Sequence, residues 1–131
     1  MSNRVKISSG AKWEDIVGYS RAVRVGNRIL VSGTTSIEDG KIIGEGDVYL
    51  QAKTILQKIE KTLIEAGSKM ADVVRTRMYV TDISKWEDVG RAHCEIFKGI
   101  KPVTSMIEVR AFIDPLMLVE IEAEAIVDEK N

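Results

Sequence analysis

The segment Leu118–Val127, LVEIEAEAIV, decides how the rest of the chain is read. Glu120, Glu122 and Glu124 alternate with Val119, Ile121, Ala123 and Ala125. A period of two belongs to a β-strand with one apolar and one charged face. Alternate residues on one face stand ~6.8 Å apart, so three carboxylates there repel one another unless cations oppose them. Val73–Thr81, VVRTRMYVT, is a matching strand, with Arg75, Arg77 and Tyr79 on one side and Val74, Thr76, Met78 and Val80 on the other. Opposite charges paired across a sheet contribute about 0.2–1 kcal/mol per pair. The rival account is functional: one glutamate is partly desolvated at a cleft and works as acid or base.

Outward from these strands, Gly26-Asn27 joins two alternating runs, Arg21–Val25 and Arg28–Gly33, as a two-residue hairpin. Asp39-Gly40 marks a second turn between Thr34–Ile37 and Lys41–Ile43. Asp47 is placed to cap a helix running to Ala66, whose apolar stripe is Val48, Ala52, Ile55, Ile59, Leu63 and Ala66, with Gln51, Lys53, Lys58, Glu60 and Lys61 on the other faces. Gly67 is its stop. A second helix is expected from Ser84, with Ser84 and Glu87 as a capping box and Trp86, Val89, His93 and Phe97 on the buried side. Gly99 and Pro102 end it, and a strand follows over Val103–Val109. Gly90 inside this helix reads equally well as a close backbone approach and as sequence drift.

Two helices with one apolar stripe each cover one face of a sheet, which predicts a two-layer α+β domain over residues 1–131. The opposite face would carry Arg75, Arg77, Tyr79, Thr104, Met106, Glu108 and the three glutamates. Such a mixed face is either wet or covered by another copy of the chain.

Composition narrows the function classes. A net charge of −1 with 5% aromatics argues against a nucleic-acid binder, which needs clustered positive charge. One cysteine in 131 residues suits a reducing cytoplasm, and no apolar run is long enough for export or membrane insertion. His93 and Cys94 are neighbours about 100° apart on a helix, so they do not form a nucleophilic pair, and alone they make no transition-metal site. Phosphate-binding glycine loops and the GxSxG elbow are absent.

Gly18–Thr35 (GYSRAVRVGNRILVSGTT), Glu65–Asp82 (EAGSKMADVVRTRMYVTD) and Asp114–Val127 (DPLMLVEIEAEAIV) together resemble the Rid/YjgF family of reactive-intermediate deaminases, formerly called L-PSP endoribonucleases. The resemblance implies a chorismate-mutase-like fold with a barrel-like homotrimer and small-molecule clefts between subunits, and no metal or organic cofactor. In active members an arginine holds the carboxylate of a 2-imino acid while a glutamate positions the attacking water. On this resemblance Glu120 is the water-positioning residue, and Tyr19, Ser32, Gly33, Thr104 and Met106 are the ligand-binding set. Gly18-Tyr19 lacks the proline of the family's G-P-Y motif, and Gly90 stands where those members carry asparagine. Thr104 stands where the family pattern has the arginine, and Met106 where it has cysteine. A threonine hydroxyl does not replace a bidentate guanidinium, so the usual 2-aminoacrylate deaminase activity is not expected. Arg21, Arg91 and Arg110 are the alternative sources of positive charge. The resulting reading is hydrolysis of an enamine, imine or related reactive metabolite. A non-catalytic metabolite-binding module and a single-strand ribonuclease are its rivals.

Overall fold

The computed structural model describes residues 3–128. Six strands form one mixed sheet in the order β1 (Arg4–Ile7), β2 (Ala22–Val25), β3 (Arg28–Thr34), β8 (Val119–Ile126), β6 (Val73–Val80) and β7 (Val103–Glu108). The pairs are antiparallel up to β6, and β6–β7 is parallel. A two-stranded ribbon, β4 (Ile37–Glu38) and β5 (Lys41–Ile42), turns at Asp39-Gly40, where both residues have positive φ.

The long helices α2 (Val48–Glu65) and α3 (Trp86–Phe97) pack on one face of the sheet, and a short α1 (Lys12–Val17) precedes β2. The core between them is aliphatic: Ile55, Leu56, Ile59 and Leu63 of α2 and Val89 of α3 meet Ile29, Met78, Val80, Val119 and Ile121 of the sheet, all at most 2% exposed. Asp47 caps α2 by accepting from the Leu50 amide at 3.0 Å, as its sequence position predicts. The crossover that a parallel pair requires is α3, between β6 and β7.

Several expectations need correction. The segments β1 and α1 carry too weak a pattern to have been read from sequence. Gln51, expected on an outer face of α2, is fully buried. It donates to the carbonyls of Gly44 and Leu116 and accepts from the Leu118 amide, tying α2 to the approach to β8. Val74 does not join the core: the β6–β8 register shifts between Val73 and Arg75, and this bulge turns Val74 outward. The Ser84–Glu87 capping box does not form. Asp82 instead accepts from the Ser84 amide and hydroxyl, opening a single 3₁₀ turn, and Trp86 is 56% exposed. At Gly90 a side chain would meet only the edge of Trp86, at 4.0 Å, so no backbone presses there.

The faces of β7 are also the reverse of the expectation. Thr104 pairs with Thr76 and Met106 with Met78, so both point toward the helices rather than toward the glutamate face. The reason is the parallel register with β6, locked by a Thr76–Thr104 hydroxyl bond of 2.7 Å. Glu108 follows the same side and accepts from the Ile83 amide at 2.9 Å. Val103, Ser105 and Ile107 face outward with Arg75, Arg77 and Tyr79.

Candidate functional site

On the open face of the sheet the three glutamates separate into two environments. Glu124 lies opposite Arg75, and its carboxylate meets Arg75 Nε at 3.3 Å, Arg28 Nη2 at 3.6 Å and Arg77 Nη1 at 3.7 Å. Glu122 lies opposite Arg77, meets Arg77 Nη1 at 3.3 Å and accepts from the Tyr79 hydroxyl at 2.7 Å. That bond to Glu122 is the main reason the Tyr79 phenol is held above its ordinary pKa. Cross-strand pairing therefore accounts for Glu122 and Glu124.

Glu120 is different. It lies opposite Tyr79 and has no arginine within ion-pair distance among the described residues. Its side chain rests on Gly33 so closely that a Cβ built there would stand 2.1 Å from Glu120 Oε2. Gly33 reaches this position because the β3–β8 register shifts between Val31 and Thr34. Burial raises the Glu120 carboxyl above the ordinary carboxylate range; Arg21 pulls it down and Glu122 pushes it further up.

Around Glu120 and Gly33 the β2–β3 hairpin gathers the other predicted groups. Arg21 Nη2 donates to the Gly33 carbonyl at 2.7 Å, and the Ser32 hydroxyl donates to the Ser20 carbonyl at 2.7 Å. Tyr19 is partly exposed, its ring centroid 5.8 Å from the Arg21 guanidinium carbon. Tyr19, Ser32, Gly33 and Glu120 thus lie together, with Arg21 as an addition that the sequence flagged only as one of three arginines. Arg91 stacks on Tyr49 at 3.8 Å and pairs with Asp88, on the helical side. Arg110 is exposed beyond β7.

Thr104 and Met106 do not join this group within one chain. Between β3 and β7 lie β8 and β6, three strand spacings or ~14 Å, and both side chains point to the helical side. Thr104 ends a short polar chain: Thr76 Oγ1 also bonds His93 Nε2 at 2.8 Å. His93 leans on Phe97 with ring centroids 4.5 Å apart, and burial lowers its pKa below the ordinary histidine value. Cys94 is exposed. Among the described residues no group of three or more His, Cys, Asp or Glu is arranged to hold a metal ion, and no helix is long and apolar enough to cross a membrane.

The family profile described as endoribonuclease L-PSP matches residues 10–127. The chain belongs to this family, the Rid/YjgF group that the three sequence segments resemble. The Mycobacterium tuberculosis protein Rv2704, a YjgF/YER057c/UK114 family member, is 52% identical and superposes with a TM-score of 0.86 over 95% of this chain and 99% of that one. YyfA of Yersinia pestis, described as a conserved Rid family protein, is 29% identical with a TM-score of 0.81, covering 97% and 98% of the two chains. The Streptomyces coelicolor protein SCO2049 is 38% identical over 120 residues, 92% of this chain and 90% of its own length. These likenesses agree with the mixed sheet and with helices on one face.

Proposed function

We propose that this Rid/YjgF chain is a single domain that hydrolyses an imine, an enamine or a related reactive metabolite in a small-molecule cleft, with Glu120 as the acid–base group. The observation that carries the reading is the isolation of Glu120. It alone of three equivalent glutamates lacks an arginine, is desolvated, and sits against a glycine that leaves room for its carboxylate. A carboxyl with a raised pKa is suited to take a proton from water and return it at working pH. Water adds to the C=N carbon, its proton passing to Glu120. Glu120 passes that proton to the imine nitrogen, giving the neutral tetrahedral carbinolamine. It then takes the carbinolamine hydroxyl proton and delivers it to the same nitrogen, so that the C–N bond breaks, ammonia leaves and a carbonyl product remains. Tyr19, Ser32 and Gly33 shape the pocket.

The cleft is completed in a cytoplasmic homotrimer, where a second copy brings its Thr104 and Met106 edge to the Glu120 side. Two features support assembly: the ~14 Å between the halves of the ligand set within one chain, and the exposed Val103, Ile107, Val74 and Leu30 on the sheet. Thr104 in place of a guanidinium disfavours 2-aminoacrylate as the substrate. The same feature supports the second reading, a cleft that binds a metabolite without turning it over. A single-strand ribonuclease, suggested by the older family description, is opposed by the net charge of −1.

The test is hydrolysis of imines generated by an amino-acid oxidase and trapped competitively by semicarbazide. Wild type, Thr104→Arg and Glu120→Gln in each background are compared. Activity that disappears with Glu120→Gln while the oligomer persists supports catalysis. Activity gained only with Thr104→Arg points to substrates without a carboxylate or to binding alone. Activity indifferent to Glu120 refutes the assignment.

A further inference from the structure

Arg21 also lines a groove of about 1000 Å³ that opens between residues 8–13, the β3–β4 connection and α2. Its lining contains two half-buried cations, Arg21 and Lys58, from different elements. Lys58 Nζ donates to the carbonyls of Thr35 at 2.8 Å and Ile37 at 2.6 Å, which leaves its third N–H free of these bonds. Arg21 spends Nη2 on the Gly33 carbonyl, and its Nε is buried without any hydrogen-bond partner. Neither cation forms an ion pair with a carboxylate among the described residues.

Two like charges in one partly desolvated groove repel, and burial and Arg21 together hold the Lys58 ammonium below its ordinary pKa. The nearby acids do not cancel this. Glu14 is buried and committed to Ser8 and Ser9. Glu38, Asp39 and Glu65 stand exposed on the rim, and the pull of Glu38 on Lys58 is the weakest of the influences acting on it. Glu14 and Glu120 feel the Arg21 charge and Glu38 that of Lys58, but no carboxylate touches either cation. An orphaned buried donor and a cation pair without a contacting carboxylate are both relieved by the same thing, an anion.

We propose that this groove binds an anionic head-group, a carboxylate or a phosphate, between the Arg21 guanidinium and the Lys58 ammonium. Arg21 supplies the planar fork that matches either oxyanion, and Lys58 supplies the point charge. The site goes beyond the Glu120 reading and stands without it. Because Arg21 also holds the Gly33 carbonyl, the backbone amides of Gly33, Thr34 and Thr35 report its occupancy.

The experiment titrates inorganic phosphate and, separately, acetate into the ¹⁵N-labelled full chain at constant ionic strength, following amide shifts. Saturable shifts centred on Gly33–Thr35 are expected for at least one of the two anions, and which one saturates names the head-group. Affinity is expected to fall about tenfold or more in Arg21→Gln and in Lys58→Gln, and to be unchanged in Arg75→Gln. Should Arg21→Gln not fold, Arg21→Lys keeps the charge but loses the fork, and a several-fold weakening is expected. Shifts that never saturate, or affinity equal to wild type in the Arg21 and Lys58 variants, overturn the proposal. Loss of imine hydrolysis in wild type would refute the Glu120 chemistry and leave these titrations unaffected.

Discussion

Along β8, Glu124 and Glu122 face Arg75 and Arg77, whereas Glu120 faces Tyr79 and lies on Gly33. The spacing and residue type are the same, and the strand treats the two ends differently. At one end the neighbouring strand neutralises the carboxylates with guanidinium groups. At the other, a bulge in β3 brings a glycine against the carboxylate, partly buries it and provides no counter-charge in contact. Charge on a sheet face is therefore not a uniform property; what decides its chemistry is the strand that happens to lie beside each residue.

The sharpest way to break this comparison is Glu120→Gln. Hydrolysis is expected to drop by about 10²-fold or more, while Glu122→Gln and Glu124→Gln change it only a few-fold. Gly33→Ala comes next. Its Cβ would stand 2.1 Å from Glu120 Oε2, so the carboxylate has to move, and about 1–3 kcal/mol of stability is expected to be lost in urea unfolding. Retention of both stability and activity would show that Gly33 does not set the Glu120 position.

Stability against pH tests the Glu120 end. The Glu120 carboxyl is raised in the folded protein, so the native state holds a proton that the unfolded state has released. Stability is lost as pH rises from the ordinary carboxylate value through the raised one. Glu120→Gln is expected to melt no lower than wild type at neutral pH and to close the gap near pH 4, measured as Tm against pH. A Tm deficit that grows with pH would overturn the environment assigned to Glu120. The smallest effect is expected for Arg77→Gln, about 0.2–1 kcal/mol from exposed pairs and reduced further by salt. A loss of several kcal/mol would mean that these pairs are buried in an assembly.

The regular parts of the fold were legible from local pattern alone. The Gly26-Asn27 hairpin, the Asp47-capped helix and the alternation of β8 each depend on residues within one element. The failures were non-local. The four residues of β1 are mostly exposed at a sheet edge, and the six residues of α1 have no capping side chain. The outward side of β7 carries Val103 and Ile107, so hydropathy pointed it the wrong way, and only the parallel register with β6 resolves it. In the site, alternation placed the three glutamates together but could not rank them. Family resemblance singled out Glu120; the physical difference comes from Gly33, nearly ninety positions earlier in the chain. Arg21 stayed one candidate among three because its bond to the Gly33 carbonyl depends on the strand bulge.

The strand order has a consequence for biosynthesis. The hairpin side, β1-β2-β3, and the crossover side, β6-β7, touch no common ladder except through β8, which follows both in sequence. During translation these two pieces emerge first, each with an unpaired edge where β8 belongs. The sheet becomes continuous only after the ribosome has released the chain past Ile126, so the nascent protein carries two open, aggregation-prone edges until that moment.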